Sequence, residues 1–265
     1  MSIVQPHFRE AGAGPGVVCL HSNASSSAQW HGLMDLLSTD HLVIAPDSYG
    51  SGKSPDWCSD RQIALQDEVD FIEPVLAAAG TPFALVGHSY GAAVALLAAL
   101  AHPARVNALI LFEPTLFSLV DTHMAPPNGV DGIRSAVHHA GLALDAGDQD
   151  AAAAHFIDFW MGPGSWAAFA PPRKLAVAAS VVNVRRWSHA LFTEATPVQA
   201  FAALDLPILY MLGSTSPESA RAVASRLLPV LPRVTVVEFP GLGHMAPITH
   251  PERINAEIAK FLREM

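Results

Sequence analysis

The chain of 265 residues has only two cysteines, no basic cluster and no apolar run long enough to cross a bilayer. Cys19 and Cys58 form neither a metal-ligand spacing nor a disulfide framework, so we expect one cysteine in the core and one in a loop. The net charge of −9, with Arg185-Arg186 as the one pair of adjacent arginines, disfavours nucleic acid as a partner. The longest apolar run, Ala92 to Ala101, falls short of the ~18 residues that a membrane span needs, so no membrane association is expected.

The N-terminus also lacks targeting features. Residues 1–7 have neither the basic start nor the apolar core of a signal peptide, and we predict a cytoplasmic protein. Thirteen histidines are present, but His138-His139 and most others lack metal-ligand spacing. Solvated helix faces therefore explain them better than a metal site does. With 51% hydrophobic residues, the chain can bury the core of one large α/β domain, with or without an insertion.

Strand-like apolar runs alternate with helix-like segments over most of the chain. This alternation predicts a mostly parallel sheet covered by helices on both faces. The predicted strands are 16–20, 41–45, 83–86, 106–112, 207–212 and 234–239, and the predicted helices are 28–37, 63–79, 92–101 and 253–263. Between Pro114 and Leu206 the alternation stops, and helices fit better than strands. We therefore predict a core domain of residues 1–116 and 203–265, interrupted by a helical cap over 117–202.

The segment Gly87-His88-Ser89-Tyr90-Gly91 lies between the third predicted strand and an Ala/Leu-rich helix. A glycine-flanked serine in this context is typical of a nucleophile elbow, in which the serine hydroxyl stands exposed at the end of the sheet. The helix N-terminus beside it favours an oxyanion. A chance turn with small residues is the alternative, because G-x-S-x-G is a short pattern.

With the elbow, further motifs make the chain resemble the α/β-hydrolase fold family over nearly its whole length. Leu20-His21-Ser22-Asn23 follows the first predicted strand and resembles the family's H-G-x loop, with Ser22 in place of the usual glycine. By this resemblance the backbone N–H groups of Asn23 and Tyr90 form the oxyanion hole. A merely polar loop is the alternative.

Two other loops carry the resemblance. Pro240-Gly241-Leu242-Gly243-His244 is similar to the family's G-x-G-H loop, which makes His244 the expected base and then acid. Residues 45–54 resemble the P-D-x-x-G-x-G-x-S loop, in which Asp47 is expected to brace a turn. A phosphate-binding loop is disfavoured there, because Pro46 stands where its first glycine would be.

The acid departs from the common pattern of the family. Gly213-Ser214-Thr215-Ser216-Pro217 has a serine where the family often has aspartate. Haloalkane dehalogenases place their acid after the strand that follows the elbow helix, and Glu113 stands at that point. We therefore predict the triad Ser89-His244-Glu113 at the carboxyl edge of the sheet. Glu218 is the rival acid, although it also suits the N-terminus of its own helix.

The resemblance implies a serine hydrolase that cleaves an ester or related acyl bond of a small, mostly apolar substrate, without metal or organic cofactor. His21, Trp160 and Met245 are predicted to line the substrate pocket. A cofactor-free haloperoxidase (perhydrolase) and a carbon–carbon bond hydrolase would use the same triad. A small-molecule binding protein with a disabled triad is the non-enzymatic alternative. A homodimer is compatible with the resemblance, which leaves the oligomeric state open.

Overall fold

A seven-stranded sheet forms the centre of the computed structural model, which describes residues 5–265. Its strand order is β1-β3-β2-β4-β5-β6-β7; β1 is antiparallel to β3, and the other pairings are parallel. The strands are β1 (Phe8–Ala11), β2 (Gly16–Leu20), β3 (Leu42–Pro46), β4 (Phe83–His88), β5 (Val106–Phe112), β6 (Ile208–Gly213) and β7 (Val234–Phe239). The predicted mostly parallel sheet is confirmed.

Helices cover both faces of the sheet. The α-helices are α1 (His31–Leu37), α2 (Leu65–Ala78), α3 (Tyr90–Ala101), α4 (Ser118–Asp121), α5 (Asp131–Asp145), α6 (Gln149–Met161), α7 (Pro171–Val181), α8 (Val184–Thr193), α9 (Glu218–Leu227), α10 (Ala246–Thr249) and α11 (Pro251–Arg263). Short 3-10 helices span Ser27–Trp30 and Val198–Ala203. On one face the strands pack against α2, α3 and α9, and on the other against α1 and α11. Successive strand residues such as Cys19 and Leu20 contribute to opposite layers, as alternating side chains must.

Helices α4 to α8 and the second 3-10 helix all lie between β5 and β6. The helical character predicted for this part of the chain therefore matches the structure. We refer to residues 114–206 as the inserted helices. Their apolar residues join the same buried cluster as α2 and α3, so they pack directly on the core.

Strand β1 has no counterpart among the strands predicted from the sequence. Its residues Phe8-Arg9-Glu10-Ala11 alternate between exposed and half-buried positions and include two charges, so the strand lacks an apolar run. It pairs antiparallel with β3 at the edge of the sheet, where one face of the strand can be exposed to solvent. Residues 1–4, which the signal-peptide prediction involved, lie outside the described residues.

Cys19 is buried in β2, and Cys58 is exposed in a loop, as predicted; the two form no disulfide. Within residues 5–265, no helix has the length and apolar character needed to cross a membrane.

Candidate active site

Ser89 occupies the sharp turn between β4 and α3, with a positive φ of 57°. Two neighbouring backbones leave no room for side chains on the flanking glycines. A Cβ on Gly87 would lie 2.5 Å from the Ala92 Cα, and one on Gly91 would lie 2.3 Å from the Leu20 carbonyl oxygen. Because the neighbouring backbone lies so close, both positions require glycine, as the predicted nucleophile elbow does.

Three side chains from separate loops form a continuous hydrogen-bonded chain at the carboxyl edge of the sheet. Ser89 Oγ lies 2.9 Å from His244 Nε2, and His244 Nδ1 lies 2.6 Å from Glu113 Oε2. Because the carboxylate only accepts, Nδ1 carries the hydrogen and Nε2 is left to accept from the serine hydroxyl. The second oxygen of Glu113 accepts from the Gly213 N–H at 2.7 Å, which fixes the carboxylate. The structure thus brings together the three residues predicted as a triad.

The rival acid lies elsewhere. Glu218 is exposed at the first position of α9, and no hydrogen bond in residues 5–265 joins it to His244. Ser216, which stands in the loop where the family often has its acid, is buried, and its hydroxyl has no hydrogen-bond partner among the described residues. Geometry therefore favours Glu113 over Glu218.

The loop after β2 lies beside the serine. Asn23 and Ser22 line the same cavity as Ser89, and the adjacent Ala24 has a positive φ of 55°. Within residues 5–265, no hydrogen bond uses the backbone N–H of Asn23 or of Tyr90. The Tyr90 side chain points away from the serine and donates to Glu68 Oε1 at 3.2 Å. Both predicted oxyanion donors are thus available to bind an oxyanion.

His21 was predicted to line the pocket, and this prediction is wrong. Its ring lies behind the loop, where Nδ1 is 2.7 Å from the Ser22 carbonyl and Nε2 accepts from the Ser48 N–H at 3.0 Å. Burial lowers the pKa of His21, which keeps the ring in the neutral form that this bonding needs. The residue supports the oxyanion loop and is absent from the residues that line the cavity.

A second buried histidine, His88, connects the two loops that flank Ser89. Gln29 Oε1 accepts from the Ser22 N–H and hydroxyl, both at 3.1 Å, and its amide nitrogen lies 3.1 Å from His88 Nδ1. His88 Nε2 then donates to the His244 carbonyl at 2.9 Å. Burial, reinforced by the neighbouring His244, holds the pKa of His88 well below its ordinary value, so the ring stays neutral. We call this series, Ser22-Gln29-His88-His244, the loop bridge.

Asp47 has the bracing role that was predicted for it. Its carboxylate accepts from the backbone N–H groups of Ser27 at 2.6 Å and Lys53 at 2.9 Å, and it lies 2.9 Å from His7 Nδ1. A Cβ on Gly52 would collide with this carboxylate. Gly52 therefore makes room for this buried acid.

A cavity of about 650 Å³ opens above Ser89, between the strand-end loops and the inserted helices. Trp160 and Met245 line it, as predicted. The Trp160 ring stacks on the His244 imidazole, with centroids 3.9 Å apart and planes 26° apart. The inserted helices supply most of its other large apolar side chains: Phe117, Ile133, Val137, Phe156, Ile157, Met161, Phe169, Val177, Val184, Trp187 and Leu191.

Within residues 5–265, no group of three or more His, Cys, Asp or Glu side chains has an arrangement suited to holding a metal ion. The site is instead a serine, a histidine and a carboxylate beneath an apolar cavity. Residues 17–257 match the sequence profile described as the alpha/beta hydrolase family. The chain belongs to the alpha/beta hydrolase family.

Named relatives of this alpha/beta hydrolase extend over almost its whole length. The (E)-2-((N-methylformamido)methylene)succinate hydrolase of Acinetobacter baylyi is 24% identical, covering 97% of this chain and 93% of the relative. The putative carbamate hydrolase RutD of Escherichia coli is 25% identical, covering 97% and 88%. The solved structure of E-2-(acetamidomethylene)succinate hydrolase superimposes with a TM-score of 0.68 at 25% identity, covering 97% and 94%. The protein is therefore an enzyme of the alpha/beta hydrolase family.

Proposed function

We propose that the protein is a serine hydrolase that cleaves an ester or related acyl bond of a small, mostly apolar substrate through an acyl-enzyme. The observation that carries this proposal is the hydrogen-bonded chain from Ser89 Oγ to His244 Nε2 at 2.9 Å and from His244 Nδ1 to Glu113 Oε2 at 2.6 Å. All three side chains are nearly excluded from solvent. A base that is bonded to a nucleophile and oriented by a third group is the arrangement that activates a serine.

Each residue has a defined role in the proposed reaction. Ser89 Oγ attacks the substrate carbonyl while its proton passes to His244 Nε2, and Glu113 stabilises the resulting imidazolium. The N–H groups of Asn23 and Tyr90 stabilise the oxyanion of the tetrahedral intermediate. His244 then protonates the leaving group, and the Ser89 acyl ester forms. Water, deprotonated by His244, attacks this ester, and collapse of the second intermediate releases the acid and restores the Ser89 hydroxyl.

The cavity supports the substrate class. Its wall is mainly aliphatic and aromatic, and its volume of about 650 Å³ suits a small organic molecule. We propose that residues 117–202 act as a cap, because residues of α5 to α8 form much of this wall. Two of the relatives are named as hydrolases of amido-methylene succinates, and a third as a putative carbamate hydrolase. These names extend the proposed class from esters to acyl–nitrogen bonds.

The position of Glu113 also bears on the non-enzymatic alternative. The absence of an acid from residues 213–217 is the feature that favours a binding protein on a disabled hydrolase fold. A carboxylate at hydrogen-bond distance from His244 supports an active triad instead. A serine at position 89 further disfavours dehalogenase or epoxide hydrolase chemistry, which needs a carboxylate nucleophile.

Intact-mass analysis after incubation with a fluorophosphonate tests the proposal. We expect one adduct on the wild type and none on Ser89→Ala. Ser216→Ala is the matched control, because Ser216 is also buried in a strand-end loop but has no hydrogen bond to a base; its adduct should equal that of the wild type. An unmodified wild type whose circular dichroism shows it to be folded, or an adduct that persists on Ser89→Ala, would refute the assignment.

A further inference from the structure

The lining of the cavity differs in charge from the rest of the molecule. The chain carries 24 acidic and 15 basic side chains, yet no aspartate or glutamate lines the cavity within the described residues. Among the described residues, the ionisable side chains that line the cavity are His31, His244 and Arg173. An acidic protein thus presents to its substrate a cavity that lacks carboxylates and contains one guanidinium.

Arg173 is held in the first turn of α7 by an aromatic ring. Its Cζ lies 3.8 Å from the centroid of the Phe169 ring, which also lines the cavity. Stacking occupies the flat face of a guanidinium and leaves its N–H donors free at the edge. Within residues 5–265, no hydrogen bond or ion pair engages those donors, whereas Arg134 and Arg185 each pair with an aspartate. The Arg173 guanidinium is therefore held in place, and its N–H donors remain available to a ligand.

We propose that Arg173 forms a subsite for a carboxylate carried by the substrate at a distance from the bond that is cleaved. This inference rests on the proposed function and narrows it to esters or related acyl compounds that have an apolar body and an anionic end. The fork geometry of arginine matches the two oxygens of a carboxylate. Ser89 and the guanidinium line the same cavity, and its apolar side chains, such as Phe156 and Val177, suit the body of the molecule.

A purely structural role for Arg173 is the competing explanation, since its contact with Phe169 also packs α7 against the segment before it. The next residue provides a control for that role. Lys174 lies over the Trp166 ring, with Nζ 5.2 Å from the centroid, but does not line the cavity. Replacing Lys174 thus removes a neighbouring charge and a neighbouring cation–π contact without changing the cavity.

Matched ester pairs test the subsite. Monomethyl adipate and methyl hexanoate differ by a carboxylate on the acyl side, and 6-acetoxyhexanoate and hexyl acetate differ by one on the alcohol side. For at least one pair, Arg173→Met should reduce the ratio of kcat/KM for the anionic ester to that for the neutral ester by about 5- to 30-fold, mainly through KM. Lys174→Met should leave the ratio unchanged, and Arg173→Lys should restore it in part. Raising NaCl from about 50 to about 500 mM should weaken the wild-type preference, because the subsite is open to solvent.

Binding to Ser89→Ala provides a measurement that does not depend on catalysis. Trp160 and Trp187 line the cavity, so a change in their emission, checked by isothermal titration calorimetry, reports occupancy by the same uncleaved esters. We expect adding Arg173→Met to weaken binding of the anionic ester about 5- to 30-fold and to leave the neutral ester unaffected. The subsite would be overturned if Arg173→Met and the wild type showed the same preference for the anionic over the neutral ester, for both ester pairs and in both the kinetic and the binding measurements. A wild type that binds the anionic ester through Arg173 without hydrolysing it would instead refute the proposed function and leave the subsite standing.

Discussion

Replacing His88 with leucine tests whether the loop bridge holds the two sides of the active site together. The ring is fully buried and makes two hydrogen bonds, to the Gln29 amide and to the His244 carbonyl. Leucine fills a similar volume but can neither accept from Gln29 nor donate to His244. The substitution therefore removes both contacts while leaving only a small cavity.

The cost follows from what is left without a partner. His244 is nearly excluded from solvent, so its carbonyl loses its donor without gaining water, at a cost of about 1–3 kcal/mol. Gln29 lines the cavity, so its amide can reach water and loses less. We expect the free energy of unfolding to fall by about 2–4 kcal/mol in urea titrations. Loosening of the His244 loop should also lower kcat by about 10- to 100-fold, with a smaller change in KM.

A double-mutant cycle with Gln29→Leu makes this prediction specific. Because the two side chains share one hydrogen bond, the double variant should be more stable than the sum of the single losses implies, by about 1 kcal/mol. His123→Leu, at an exposed histidine, should change stability by less than about 0.5 kcal/mol. Strictly additive losses, or a His88→Leu variant with wild-type stability and kcat, would refute the bridge.

Three further predictions concern the acid, the stacked tryptophan and a buried glutamate. Glu113→Gln should lower kcat about 10,000-fold, while Glu218→Gln should match the wild type; the opposite pattern in steady-state kinetics would reassign the acid. Trp160→Leu should lower kcat/KM about 3- to 30-fold by removing the stack on His244, Trp160→Phe should retain most activity, and equal losses in the two variants would argue against stacking. Burial raises the pKa of Glu68 from 4.5 to about 7, so the folded state binds the Glu68 proton more tightly than the unfolded state does. The contribution of Glu68 to the free energy of unfolding therefore falls as pH rises between those two values. Glu68→Gln should thus gain about 1–3 kcal/mol relative to the wild type between about pH 5 and about pH 8 in urea unfolding, and a pH-independent difference would contradict this.

The features that sequence analysis predicted well are those fixed by local pattern or by topology. The elbow could be predicted because a strand, two glycines that close approach requires and a helix are contiguous around Ser89. Glu113 could be predicted because the carboxyl ends of parallel strands share one edge, where the structure indeed brings it to His244. The His21 prediction failed because position in a loop does not show on which side of the backbone a ring lies.

The loop bridge could not have been predicted from the chain, because its contacts join residues far apart in sequence. Gln29 and His88 are separated by 59 positions, and His88 and His244 by 156. Each looks ordinary locally: Gln29 is a polar residue in a short helix, and His88 is a strand residue beside a serine. Their significance depends on tertiary placement, which no periodicity or motif records.

Backbone conformation adds an observation that is independent of side-chain geometry. Among residues 5–265, the non-glycine residues with positive φ are Ala24, Ser89 and Glu113, at 55°, 57° and 45°. They lie in the predicted oxyanion loop, at the predicted nucleophile and at the predicted acid. Such conformations cost about 1–3 kcal/mol each and persist only where surrounding contacts enforce them. Hydrogen bonds from the Ser89 N–H to the Phe112 carbonyl and from the Glu113 N–H to the Met211 carbonyl supply that enforcement at two of the three. The sheet thus holds strained backbone at the proposed nucleophile and at the proposed acid, where its hydrogen bonds override local propensity, and the third strained residue, Ala24, is adjacent to the proposed oxyanion donor Asn23.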